Sequence, residues 1–303
     1  AVGHSWTVSL GGMALAFRTL TDITGMDPAA VFPSAAILLG VSVLLTGLAS
    51  AYLLKQLHYW KRIVLLSVIV ALTQFLVGLS GTIPLSSFTA AIVGIGFGLL
   101  LAKRAPDQKV KPNITPQLNG GLLSYGILFV SMIVISIIRP LNQWLAGVHL
   151  DSYFPQVATN TGVITAAGPG FIYRPFTHPG FWILFSAVMA AILLPRITRS
   201  GTANLRAALA ATWRSALPAS IGTLFMIGLS TLMEHTGMTL TIAEGLSSAF
   251  RAAYPLIAPL VGSLGAFATG SNTNSNILFG PMQQDVAKLL RISPINLLAA
   301  QTT

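Results

Sequence analysis

Cysteine is absent from all 303 residues, and acidic side chains are scarce: seven Asp and Glu stand against 17 Lys and Arg. Without cysteine there is neither a disulfide nor a thiolate metal site. The five histidines, at 4, 58, 149, 178 and 235, are scattered without metal-ligand spacing. Catalytic signatures are missing as well: the chain has no Gly-x-Ser-x-Gly elbow, no P-loop, no His-Glu-x-x-His and no EF-hand loop. A membrane-embedded hydrolase or transferase needs a convergent nucleophile and base, and no such pair stands out. No charged leader followed by a short apolar core is visible either. The chain therefore reads as no enzyme, with no cofactor and no metal.

Charge as a whole is in short supply. Only 8% of residues are charged, 53% are hydrophobic and the mean hydropathy is +0.76. An ordinary soluble domain carries about 25% charged residues, so the chain belongs in a lipid bilayer. The net charge of +10 does not make it a nucleic-acid binder, because its basic residues fall in short loops between apolar runs. Runs of the roughly 18–20 residues that cross a bilayer are expected at about 34–54, 63–79, 85–102, 122–138, 181–194 and 216–233. The connectors after the first, third and fifth carry three, four and four Lys/Arg, against none and two after the second and fourth. That alternation puts Lys55, Arg104 and Arg199 in the cytoplasm. Between the spans, 141–179 reads as an external loop with a helical start, Leu205 to Trp213 as an interfacial helix, and Leu240 to Tyr254 as an amphipathic piece. The fold class is an all-α polytopic membrane protein.

One stretch breaks the apolar pattern. Gly270, Ser271, Asn272, Thr273, Asn274, Ser275 and Asn276 follow one another inside an apolar run. Seven small or amide side chains at membrane depth survive only where buried in protein or lining a wet cavity. Broken helices of this kind place half-helix ends at a midplane binding site, where neutral donors hold an oxyanion. A polar loop outside the membrane, or Ser/Asn packing between helices, is the plainer alternative.

The run Ala268-Thr269-Gly270-Ser271-Asn272-Thr273-Asn274-Ser275-Asn276-Ile277-Leu278-Phe279-Gly280 resembles the signature of the bacterial lactate permease family. Gly3-His4-Ser5-Trp6-Thr7-Val8-Ser9-Leu10-Gly11, Leu72-Thr73-Gln74-Phe75-Leu76 and Leu232-Met233-Glu234-His235-Thr236-Gly237-Met238-Thr239 add support in the family's order. The resemblance implies a multi-pass protein of the bacterial inner membrane that imports lactate and related 2-hydroxy monocarboxylates such as glycolate by proton symport. Its expected partners are the organic anion and the lipid bilayer, with self-association left open. Sodium coupling is the alternative, since Ser, Asn and Thr at hairpin tips also suit Na⁺. An inverted-repeat transporter is also implied, with 1–102 ending a first half-repeat, 103–119 a cytoplasmic basic loop, and 120–303 a second half-repeat carrying the motif at 268–280. The apolar end at Leu297 to Thr303, with no stop signal, reads as part of a longer polypeptide.

Four ionisable residues are candidates for the substrate or proton path. Glu234 and His235 sit at the outer end of the sixth expected span, where wetting by headgroups is the favoured alternative. Asp285 follows the motif by nine residues, with Lys288 at i+3 suggesting a surface ion pair. His4 precedes a small-residue segment and is more simply a hydrogen-bonded structural group. Topology is the directly testable expectation. A single cysteine at position 104 of this Cys-free segment should escape a membrane-impermeant thiol reagent added to intact cells; labelling from outside would overturn the orientation.

Overall fold

A computed structural model describes residues 11–103, 116–160, 162, 164–198 and 205–303. Twelve helices carry the described part: α1 (Gly11–Thr24), α2 (Pro28–Leu53), α3 (Trp60–Leu79), α4 (Ile83–Lys103), α5 (Pro116–Ile137), α6 (Arg139–Ala146), α7 (Pro179–Thr198), α8 (Leu205–His235), α9 (Met238–Phe250), α10 (Tyr254–Thr269), α11 (Asn272–Leu290) and α12 (Pro294–Thr302). Two small strand pairs lie between α6 and α7, β1 (Leu150–Phe154) with β4 (Gly168–Tyr173) and β2 (Val157–Ala158) with β3 (Ile164–Thr165). The chain is an all-α polytopic membrane protein. Among the described residues, five stretches are long and apolar enough to cross a bilayer: Pro28–Leu53, Leu57–Leu79, Ile83–Leu101, Arg206–His235 and Met238–Thr269.

Several expectations need correction. The run at 122–138 gives a helix that turns through 94° into α6. The apolar part of α7, Pro179–Leu194, falls short of a full crossing. Leu205 to Trp213 is no separate interfacial helix but the first turns of the 31-residue α8. The piece from Leu240 to Tyr254 is α9 and the 3-10 turn Arg251–Ala253, inside a long apolar stretch. Pro33 sits inside α2, whose start is set by Asp27: its Oδ1 accepts from Ala29 N at 3.0 Å, with Pro28 in the first turn. The segment at 141–179 does start helically, in α6, and continues in the strand pairs.

The fold divides into two compact units. One holds 1–108, 155–168 and 225–303; the other holds 109–154 and 169–224. In the second, α5 packs on α7, and Phe176, Phe181, Trp182 and Phe185 cluster where α7 begins, with Trp182 Nε1 donating to Phe176 O at 2.8 Å. In the first, α2, α3 and α4 form an antiparallel series, and α11 is wrapped by α1, α9, α10 and α12. Glycine sets these distances. A Cβ on Gly40 would lie 3.1 Å from the Ala71 methyl, and one on Gly78 would enter the Phe32 ring. The α2–α3 turn carries an aromatic and basic girdle suited to a membrane interface: Lys61 stands 5.8 Å from the Trp60 ring and Arg62 5.2 Å from that of Tyr59.

The first unit's core has two parts. Phe17, Leu20, Phe32, Leu39 and Leu298 pack where α1, α2 and α12 meet, and Tyr254, Met282, Val286 and Leu297 where α9–α12 meet. Close approach of α10, α11 and α12 depends on Gly262 and Gly265. A Cβ on Gly265 would strike Ser275 Oγ and the Phe279 ring, and one on Gly262 would lie 2.7 Å from the backbone carbonyl of Gln301. Backbone cannot swing aside as a side chain can. Gly262→Ala should therefore cost about 1–3 kcal/mol, read as a lower melting temperature in detergent. Gly228→Ala, with nothing within 4 Å of the added methyl, should cause no such fall.

Candidate functional site

The polar stretch folds as the tip of a helical hairpin. Gly270 takes the left-handed conformation, φ 67°, that ends α10, and Ser271 is extended and caps α11. Ser271 Oγ accepts from Asn274 N at 3.3 Å, and Ser275 N donates to Ser271 O at 3.0 Å. The reversal thus takes two residues. Thr269 braces it, its Oγ1 reaching both Gly265 O and Ser271 O.

Beyond the tip, the seven residues divide. Gly270 is exposed and Ser271, Asn272, Thr273 and Asn274 are half-buried, whereas Ser275 and Asn276 are fully enclosed. Ser275 Oγ donates to Gly262 O at 2.9 Å and accepts from Gln301 Nε2 at 3.0 Å. Asn276 Nδ2 donates to Ala16 O at 3.0 Å and to Thr302 Oγ1 at 2.8 Å. Asn272 Nδ2 donates to Thr302 O at 2.9 Å. The motif thus divides: the inner end ties helices together, as the packing alternative expected, and the outer end is a half-buried polar surface at a helix N-terminus. That terminus carries backbone N–H groups, a partial positive charge and no acidic residue in its first turn.

Helix α1 stands level with the tip. Asn276 meets Ala16, Gly280 packs on Leu20, and Gln284 Nε2 donates to Thr24 O at 3.1 Å. One contact per turn, always between the same faces, means that α1 and α11 run parallel in a fixed register. That register puts Ala14, which has φ 59° inside α1, at the level of Asn274. A left-handed alanine costs roughly 1–2 kcal/mol, so α1 carries a strained residue where α11 begins.

A polar chain the sequence reasoning missed holds the hairpin from behind. Tyr254 OH donates to Gln283 Oε1 at 2.8 Å, Gln283 Nε2 to Gln301 Oε1 at 3.0 Å and to Ala258 O at 3.3 Å, and Gln301 passes the chain on to Ser275. The available signal was uncharged: glutamines inside apolar runs, overlooked when candidates were sought among carboxylates and histidines. The charged candidates gather elsewhere. Asp285 pairs with Lys288 at 3.0 Å, as i+3 spacing suggested, and Glu234, His235, Asp285 and Lys288 lie within electrostatic reach of one another. Thirteen residues separate Asp285 from Asn272, about 20 Å along the helix, so this group is remote from the tip. His4 lies outside the described residues, as do most of the basic loop and Arg199.

Comparison with known proteins agrees with the layout. The family model for L-lactate permease matches residues 4–303. The L-lactate permease of Streptococcus iniae is 29% identical over 170 residues, 55% of this chain and 33% of that protein. That of Escherichia coli strain K12 is 28% identical over 167 residues, 54% and 29% respectively. Glycolate permease GlcA of the same strain is 30% identical over 155 residues, 51% and 27%. The matched part is thus a third or less of each relative's length. No solved structure matches.

Asn276→Ala separates the two halves of the motif. Ala16 O and Thr302 Oγ1 lose a buried donor, so stability should fall by about 1–3 kcal/mol. Thr273→Ala, at the half-exposed tip, should change it by less than about 0.5 kcal/mol. Thermal unfolding in detergent measures both, and equal shifts would remove the distinction.

Proposed function

Because the chain belongs to the L-lactate permease family, we propose that it binds lactate and related 2-hydroxy monocarboxylates such as glycolate, and works in secondary transport across the bacterial inner membrane. The observation that carries this reading is the Gly270–Ser271 tip, a polar, half-buried helix N-terminus. A carboxylate placed there meets backbone N–H groups and the side chains of Ser271, Asn272, Thr273 and Asn274. No cation is needed. Neutral donors leave no desolvated charge behind when the site is empty, so the unloaded protein can complete its cycle.

Coupling to protons is the second half of the proposal. Glu234, His235 and Asp285 supply exchangeable protons at the far end of α11. The hairpin is then a substrate element and the charged group a proton element, joined by one helix.

Radiolabelled lactate uptake by the full-length protein in proteoliposomes tests both parts. Uptake should rise with an inward proton gradient in Na⁺-free buffer; dependence on Na⁺ at fixed pH gradient would replace proton with sodium coupling. Asn272→Ala and Asn274→Ala should raise the half-saturation concentration by about one to two decades, the loss of one hydrogen bond to a charged ligand at roughly 1.5–3 kcal/mol. Ser220→Ala, exposed on α8, should leave it unchanged. Wild-type curves for both Asn variants would move the site away from the tip.

A further inference from the structure

Charge is spread unevenly over the antiparallel helices of the first unit. No Asp or Glu stands between Asp27 and Asp107, a stretch that holds α2, α3 and α4 entire. Three of its cations, Lys55, Lys61 and Arg62, with His58 among them, lie at the turn between α2 and α3. The turn at the other end of α3, Ser80 to Thr82, carries no charge.

Nothing described neutralises these cations. All four basic residues are exposed, and none takes part in an ion pair among the described residues. The 3-10 turn Leu57–Tyr59 packs against α2 and α3, both free of acid. Lys61 and Arg62 fall in the first turn of α3, where the helix end is itself positive and does not offset them. Aromatic rings hold them in place instead: Lys61 lies over Trp60, and Arg62 over Tyr59, whose ring centroid is 3.9 Å from that of His58. Such rings position a cation without discharging it. Lys55 adds an independent sign. It closes α2 in the left-handed conformation, φ 56°, with its N–H bonded to Tyr52 O at 3.0 Å. Glycine or asparagine suits that backbone better, so the lysine is there for its side chain.

We infer that the α2–α3 turn is a docking surface for the headgroups of anionic phospholipids. Its place fixes the occupant. The turn joins Pro28–Leu53 to Leu57–Leu79, each long and apolar enough to cross a bilayer, so it lies where the bilayer meets water. Around the cations it exposes Tyr52, Leu53, Leu54, Leu57, Tyr59 and Trp60. Aromatic and apolar side chains set among cations fit the boundary between headgroups and acyl chains. Charge then selects among lipids. The phosphate of phosphatidylglycerol is a net anion, whereas that of phosphatidylcholine is balanced by its own ammonium, so three uncompensated cations favour the former. The inference concerns the bilayer and goes beyond the transport reading, whose substrate it does not involve.

The test uses the full-length protein in phosphatidylcholine nanodiscs that contain a small fraction of diazirine-bearing phosphatidylglycerol or phosphatidylcholine, with adducts mapped by peptide mass spectrometry. The anionic probe should label residues 52–62 about tenfold or more over the zwitterionic one. Lys55→Gly, Lys61→Gln and Arg62→Gln should each lower that preference about fivefold, the effect of one basic side chain at an anionic surface. Salt at about 0.5 M should lower it as well. In lipid-free detergent the melting temperature of the Gln variants should hold, and that of Lys55→Gly should hold or rise, because glycine relieves the left-handed backbone. Equal labelling by the two probes overturns the inference, as does a preference that survives Lys61→Gln with Arg62→Gln. Labelling elsewhere with none at 52–62 overturns it too, since the turn would then be covered by protein. A marked fall in melting temperature for all three variants would make the cations structural and end the proposal.

Discussion

Inside a bilayer no water stands ready to satisfy a polar atom, and α11 is the helix on which that constraint falls hardest. It carries Asn272, Asn276, Gln283 and Gln284 through the middle of the first unit, and each amide nitrogen ends on a carbonyl or hydroxyl of a neighbouring helix: Thr302, Ala16, Ala258 and Thr24. Pro281 sharpens the point. Having no N–H, it leaves the Ile277 carbonyl without its partner in the helix, and Ser230 of α8, buried, donates to that oxygen at 2.7 Å. The proline and the hydroxyl that answers for its missing N–H sit 51 positions apart in sequence. At about 1 kcal/mol apiece, these bonds fix α11 as firmly as its apolar face does, and they fix it in one register only. A slip of one residue would break every one of them.

Register is what turns a polar helix into a site. Because α1 follows α11 turn for turn, the left-handed Ala14 cannot drift away from the reversal at Gly270. The side chains at the tip itself, Ser271, Asn272, Thr273 and Asn274, are neutral. In the transport reading proposed above, that neutrality matters as much as the donors themselves, since a cation at the same place would bind the anion more tightly and then resist the empty return.

How much of this was legible in the sequence varied by the range over which the determining contacts act. The reversal at Gly270 and Ser271 is local, set by one left-handed glycine and one capping hydroxyl, and the residue string announces it. The Asp285–Lys288 pair is local too. Nothing in the string, however, separates Asn274 from Asn276, two residues of one type two positions apart; only the burial of α11 against α1 and α12 sends one to the surface and one to the interior. The same holds for Leu205 to Trp213, whose basic and apolar composition suits an interfacial helix but which nothing stops from running on into α8. Pro33, early in α2, is tolerated for a local reason. A proline early in a helix, with Asp27 capping and Pro28 opening it, has few lost bonds to answer for.

The separation between the hairpin tip and the charged group bears on how a carrier of this layout would couple its two ligands. About 20 Å of helix lies between Asn272 and Asp285, and direct Coulomb interaction over that span is weak even in a medium of modest dielectric constant, near 1 kcal/mol at an effective value of about 20. A field alone is therefore a poor messenger. Helix α11 is a better one, because every turn from Asn272 to Gln284 is pinned to a neighbour, so a displacement at one end cannot be absorbed locally and must be carried to the other. Protonation near Glu234 and Asp285 would act on the tip by moving a rod whose side contacts all shift together, and Ser230, bonded to Ile277 between the two ends, links α8 and its terminal Glu234 to that rod. The bonds that keep α11 soluble in protein rather than in lipid are thus the same bonds that make it able to transmit.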